Sequence, residues 1–443
     1  MKKGLLLGLA LLLLVGIMPA AAQETSFWHT EGYGLVIAQT GDQVALYEIT
    51  EVSCVPIYEG DLAQMGVTAT ISDGRLIVID DGTLHIEAEP LTELPAACAN
   101  GGPAPTDDPE VNFEIFWHTF NEQYAFFELY GVDWQATYDQ YRPQVTNETT
   151  PEALFAIFEQ MLTPLKDGHI SLVSDFDYFS PGSLPAWANN SEETMIQVLL
   201  AAFSVISQDY LGEDQAFMDA IITQTENGPQ VNQRLFYGSI NERVGYINLL
   251  GMEGYATGEQ SELEAAAALI DEALAALAGK EAIVIDVRFN GGGYDSVALT
   301  FASRFADQER LSHTKQARNG DRLTPTRDFY IQPDGPQPFT KPVIVLTSGM
   351  TASAAEIFVM AMRTLPNVTV IGEPTSGGHS DILGRKLPNG WQFGLSNEVY
   401  TLADGQVYEG VGIPPTLEIP LDAAAYDQHH DTMLDTALQT LTP

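Results

Sequence analysis

The sequence predicts an α/β protein. A core of parallel strands and helices is expected over residues 236–443, preceded by a helical subdomain over 111–235 and a small β-rich domain over 23–100. Three observations carry this reading. After residue 236, short apolar runs alternate with helix-length runs, as in strands joined by crossover helices. Between 111 and 235 the apolar residues recur mostly at helical spacing. Before residue 100 they alternate with polar residues between Gly-Asp and Asp-Gly turns.

The chain opens MKKGLLLGLALLLLVGIMPAAAQ. Lys2 and Lys3, the apolar run Gly4 to Ile17 and the small residues Ala20 to Ala22 read as a secretory signal peptide over 1–22, cut before Gln23. A membrane anchor is the alternative, but the run is short for the ~20 residues a span needs. No later stretch is apolar enough to cross a bilayer, and no Cys follows the run to take a lipid. The expectation is an exported protein (periplasmic, extracellular or cell-surface associated) with no stable membrane insertion after cleavage.

YGLVIAQTGDQVALYEIT and VTATISDGRLIVIDDGTLHIEAE supply the strands of the β domain, from about Ser26 to Ala99. A Gly/Pro/Asp linker follows over 101–110. VNFEIFWHTFNEQYAFFELY and TPEALFAIFEQMLTPL are helices, the second opened by Thr150 as cap and Pro151 at its first position. In the core, RVGYINLL, EAIVIDV, PVIVLT and VTVIGE read as strands. SELEAAAALIDEALAALAG, YDSVALTFASRFA and ASAAEIFVMAMRTL read as helices, and the tail reads as hairpins with Pro-Asn-Gly and Asp-Gly turns.

With 60 acidic and 19 basic side chains the net charge is −41, which repels nucleic acid and anionic membranes. The only cysteines, Cys54 and Cys98, are expected to pair in an oxidising compartment. None of the eight histidines lies in an HExxH or similar ligand pair, so neither a metal nor a cofactor is expected.

Four places carry candidate chemistry. VIVLTSGMTASAAEIF places Thr347, Ser348, Thr351 and Ser353 between a strand and a helix, where open α/β sheets build their sites. Ser353 is flanked by alanines and sits where free N–H groups favour negative charge. Ser and Thr are also the ordinary cap residues, and the GxSxG elbow is absent. IDVRFNGGGY presents glycine N–H groups after a buried strand, as an oxyanion hole, a phosphate site or a plain turn. There, Asp286 and Arg288 can pair to brace the loop. LKDGHISL holds His169 in a turn, and YEGVGIPP places Glu409 before a Gly/Pro turn.

Taken together and in this order, LKDGHISL, IDVRFNGGG, VIVLTSGMTASAAEIF, VIGEPTSGG and YEGVGIPP resemble the C-terminal processing serine peptidases. That family includes tail-specific proteases, the tricorn protease core and retinoid-binding relatives. The resemblance runs from about Val111 to Pro420 and implies a ClpP/crotonase-like core. Its tail-specific branch uses a Ser/Lys dyad, but the lysine position here is Gly378. Its tricorn-like branch uses a histidine in the DGH-type turn and a glutamate in the E-x-x-G-[VI]-x-P segment, which match His169 and Glu409. The serine that precedes the tricorn histidine is replaced by Gly168.

The resemblance therefore implies an exported serine endopeptidase acting on a peptide or protein substrate. Ser353 would be the nucleophile, His169 the base and Glu409 its orienter. Ala354 and Gly292 or Gly293 would supply the oxyanion N–H groups. His379 is the rival base, followed by Lys386, and Glu356 is expected in a structural ion pair. No GLGF-like loop of a PDZ domain is found. Two other readings stay open: a non-catalytic ligand-binding protein on the same fold, and a carbohydrate- or surface-binding protein led by the β domain.

Overall fold

The structure is a computed structural model that describes residues 25–79, 83–98, 105–188, 191–226, 228–258 and 260–441. The expected signal peptide, 1–22, and linker residues 101–104 lie outside the described residues.

Residues Ser26 to Leu91 form a seven-stranded antiparallel sheet. The alternation read from the sequence gives it one apolar face, with Trp28, Ile37, Val44, Leu46, Leu76 and Val78 packed together. Asp73 and Gly74 both have positive φ, 50° and 80°, the two-residue turn that suits the twist of a hairpin. Cys54 starts the edge strand Cys54–Asp61 and is disulfide-bonded to Cys98, with a Cα–Cα distance of 5.0 Å.

Two helices follow with the caps their sequences call for. Asp108 accepts the Glu110 N–H at 2.9 Å ahead of Pro109–Gln123, and Thr150 accepts the Ala153 N–H at 3.3 Å ahead of Pro151–Leu162. Phe116 and Phe158 stack between them with centroids 3.9 Å apart. Their core is completed from far along the chain by Leu387, Trp391 and Phe393. The reason is a shared sheet: Ser171–Val173 pairs antiparallel with Gln392–Ser396, which pairs with Ile382–Lys386. This pairing brings the DGH turn, two residues before Ser171, onto the C-terminal half.

The central sheet has six strands in the order Leu235–Ser239, Val244–Leu249, Ala282–Asp286, Val343–Thr347, Val368–Gly372, Leu417–Glu418. All neighbours except the first pair are parallel. Every residue of Val244–Leu249, Ala282–Asp286 and Val343–Thr347 is buried, as a sheet covered on both faces requires. Glu262–Ala276, Asp295–Ser303 and Ala354–Arg363 pack on one face. Glu192–Val205 and Thr432–Thr440 cover the other. No helix of the described residues is long and apolar enough to cross a membrane.

Candidate active site

The strand Val343–Thr347 ends in the turn that carries four hydroxyl groups. Three are committed. Thr347 Oγ1 donates to the Glu373 carbonyl at 2.8 Å, Ser348 Oγ to the Arg288 carbonyl and Thr351 Oγ1 to the Val287 carbonyl at 2.8 Å. They tie the turn to its neighbours. Ser353 Oγ donates to no carbonyl or side chain among the described residues, and the residue is half-exposed.

The Ser353 backbone is strained, with φ 54° and ψ −131°, a region that costs a non-glycine residue about 1–3 kcal/mol. Its surroundings fix it there. Its N–H is shared between the Gly378 carbonyl at 2.9 Å and Glu356 Oε2 at 3.2 Å. The glycine loop closes the other side. A Cβ on Gly292, whose φ is +106°, would lie 2.5 Å from Ser353 Cβ, so only glycine lets the loop come this near.

Asn290 organises that loop. Its Nδ2 donates to the Leu249 carbonyl at 3.0 Å, and its carbonyl accepts the Ala352 N–H at 3.0 Å. Its Oδ1 accepts the Gly292 N–H at 2.9 Å. This corrects one sequence expectation: the Gly292 N–H is already used and is not a free oxyanion donor. The N–H groups of Gly293 and Ala354 donate to nothing among the described residues. Below the loop, Arg288 is fully buried between Asp286, at 2.6 Å, and Asp431, at 2.7 Å. The carboxylates hold the guanidinium charged against burial, and the Asp286 to Arg288 bracing read from the sequence is present.

His379 lies at the centre of a second buried cluster. Its Nε2 is 3.0 Å from Glu356 Oε1 and its Nδ1 is 3.3 Å from Glu409 Oε2. All three side chains are at most 1% exposed. Burial disfavours the imidazolium, but Glu356 and Glu409 outweigh it and push His379 up to about 10. Glu356 also accepts from Thr375 Oγ1 and from the N–H groups of Gly377 and Gly378, both at 2.9 Å. Burial opposes its charge, yet the imidazolium and these donors hold it below the usual glutamate value. The structural ion pair expected of Glu356 is thus made with His379. The two carboxylates favour the imidazolium, which has no lone pair to accept a proton.

Glu409 is placed differently from the sequence expectation. Its Oε2 accepts the backbone N–H of His379 at 3.0 Å and lies 3.3 Å from its Nδ1, so in this structure it faces His379. Its Oε1 is buried without a partner among the described residues, and burial raises its pKa.

His169 lies two residues after Asp167, which accepts the His169 backbone N–H at 2.9 Å and the Tyr124 hydroxyl at 3.0 Å. The half-buried imidazole lies against Gly378: a Cβ there would be 3.6 Å from Cε1 and 3.8 Å from both ring nitrogens. Gly378 is also the residue whose carbonyl accepts the Ser353 N–H. His169 therefore packs against position 378. Its Nδ1 is buried and unpartnered among the described residues. Lys386, the third candidate, is exposed at the far end of Ile382–Lys386.

Sequence reading missed Asn290 and the charge state of His379. Asn290 directly precedes the glycines it organises, and that adjacency was the available signal. Nothing local to His379 announces two carboxylates, since one lies 23 residues before it and the other 30 after.

Comparisons with known proteins point the same way. Residues 243–419 match peptidase family S41, and residues 105–163 match the tricorn protease C1 domain. The chain is 29% identical over 143 residues to the carboxy-terminal processing protease CtpA of Bacillus subtilis (strain 168), covering 32% of this chain and 29% of that protein. It is 26% identical over 212 residues to the tricorn protease of Thermoplasma volcanium, covering 47% of this chain and 18% of that protein. The chain thus spans a third or less of the length of these curated relatives. Among solved structures, a putative peptidase from Parabacteroides merdae aligns with a TM-score of 0.62 at 27% identity, covering 76% of this chain and 98% of that one. Mature CPAF aligns at 0.51 with 11% identity, covering 73% and 94%, a likeness of fold. Residues 243–419 thus match peptidase family S41, and the five motifs stand in the order of the C-terminal processing peptidases.

Proposed function

We propose that the protein is an exported serine endopeptidase that cleaves peptide bonds through an acyl-enzyme on Ser353. The observation that carries this reading is the Ser353 hydroxyl. It alone of the four on its turn donates to no neighbour among the described residues, and it stands on a strained backbone at a helix N-terminus beside a glycine loop.

Ser353 Oγ attacks the scissile carbonyl while His169 takes its proton. The oxyanion is held by the N–H groups of Gly293 and Ala354, each such donor lowering the barrier by about 3 kcal/mol. Collapse expels the amine, to which His169 returns the proton. Water then attacks the ester with His169 again as base, which releases the acid and restores Ser353.

Glu409 acts on this sequence through its free oxygen. Glu409 Oε1 and His169 Nδ1 are both buried and unpartnered among the described residues, which supports a pairing between them, direct or through an intermediate group. Export is supported by the N-terminal apolar run and by the Cys54–Cys98 disulfide.

The test is a fluorophosphonate probe applied to the purified protein, with the labelled peptide mapped by mass spectrometry. Label on Ser353, absent from Ser353→Ala, is expected. A folded protein that takes no label would instead favour a binding protein on the same fold.

A further inference from the structure

A second charge cluster lies on the seam between the N-terminal sheet and the core. Lys315, in the middle of the strand Arg310–Asn319, is 6% exposed. Its Nζ is 2.9 Å from Asp295 Oδ2, 3.0 Å from Asp381 Oδ2 and 3.8 Å from Glu398 Oε2. It also sits 4.5 Å from the Tyr400 ring centroid and 5.1 Å from that of Phe329. Burial disfavours the ammonium, but the three carboxylates reverse this and hold it charged. Tyr400 OH donates to Asp295 at 2.9 Å, and Tyr33 OH donates to Glu398 at 2.6 Å.

The partners matter by where they stand in the chain. Asp295 begins the helix two residues after Gly293, whose N–H is a proposed oxyanion donor. Asp381 lies two residues after His379, whose turn carries the Gly378 carbonyl bonded to Ser353. One ammonium therefore spans the two loops on either side of the nucleophile. Tyr33 belongs to the turn between the first two strands of the N-terminal sheet, and its own carbonyl accepts from Arg385. Asp381 is 55% exposed, while Lys315, Asp295 and Glu398 are buried, and a buried ion cluster is a poor way to gain stability, since apolar replacements often do as well. What an apolar side chain cannot do is fix two separate loops by directed contacts.

We infer that Lys315 is a positioning residue that clamps the glycine loop to the His379 turn, and that Tyr33 makes the N-terminal sheet part of this clamp. The inference rests on the proposed role of Ser353. Its chemistry is geometric: a donor N–H misplaced by ~1 Å lowers the rate about 100-fold while leaving ground-state binding nearly intact.

The test is the rate of fluorophosphonate labelling of Ser353 as a function of probe concentration, which separates the maximal rate from probe affinity. Lys315→Met, Lys315→Arg and Tyr33→Phe are compared with the parent protein, each with a thermal melt. Lys315→Met is expected to lower the maximal rate about 100-fold with affinity changed by less than about 3-fold. Lys315→Arg, which keeps the charge, recovers most of the rate. Tyr33→Phe, which removes one hydroxyl and keeps the fold even where Lys315→Met does not, lowers it by about 3–10-fold. Unchanged maximal rates in folded Tyr33→Phe and Lys315→Met overturn the clamp. An unlabelled parent protein instead removes the Ser353 reading on which the clamp rests.

Discussion

Two turns in this protein present a histidine after a glycine near the same serine: Asp167-Gly168-His169 and Gly377-Gly378-His379. In sequence they look alike, and the second is much nearer to Ser353 along the chain. In three dimensions they are opposites. His379 is fully buried with a carboxylate within 3.3 Å of each ring nitrogen, which favours its protonated form. His169 is half-buried, rests on Gly378 and has a buried Nδ1 with no partner among the described residues. The difference teaches that position in the sequence does not reveal the charge surroundings of an imidazole. The His169 ring packs against position 378, where the tail-specific branch carries its lysine.

Several changes would break or sharpen this contrast. The largest effect is expected from Ser353→Ala, which lowers peptide hydrolysis by at least about 10⁴-fold without loss of fold, read from kcat and a thermal melt. Gly378→Met comes next. Its non-basic side chain is expected to crowd the His169 ring and to lower labelling of Ser353 about 100-fold; Gly378→Ala, with its Cβ at ordinary contact distance, is expected to label nearly normally. Retained activity in the methionine variant would mean that the ring is not where the base operates.

His379→Gln acts first on stability. It leaves Glu356 and Glu409 buried without their cation, a loss of about 3–5 kcal/mol by urea unfolding. The pH dependence has a definite sign. The folded value of His379 is raised to about 10 from an ordinary 6.5, so the imidazolium stabilises fully below about pH 6.5 and its contribution fades as pH rises toward 10. The stability gap between parent and variant should therefore shrink over that window. A gap that widens with pH would show a neutral imidazole. The smallest effect on chemistry belongs to the N-terminal sheet's disulfide. Reduction of Cys54–Cys98, which spans 44 residues, is expected to lower the stability of the sheet by about 4 kcal/mol and to leave the labelling rate within about 2-fold.

The sequence made local features legible. Thr150-Pro151 at a helix start, Asp73-Gly74 in a hairpin and the fully apolar core strands were all readable because each depends on neighbouring residues. The turn bearing Ser353 was placed correctly at the end of a core strand, though its own composition equally suits a plain cap. What escaped depends on contacts made across the fold. The use of the Gly292 N–H by Asn290 requires the loop's actual course. The capture of Glu409 by His379 requires two distant turns to meet. Lys315 sits in a strand whose polar and apolar residues gave no sign of three carboxylates arriving from elsewhere. The helices of 111–235 also read as a unit, yet their aromatic core is finished by Trp391 and Phe393 from a hairpin more than 200 residues downstream of their start.

The central claim is that His169, and not His379, takes the proton of Ser353. The most direct test is the rate of fluorophosphonate labelling at Ser353 in His169→Ala and His379→Gln, each measured on the folded fraction at neutral pH. The account predicts a loss of at least about 100-fold in His169→Ala and a loss of about 10-fold or less in His379→Gln. The reverse order, with His169→Ala labelling near the parent rate, would contradict it.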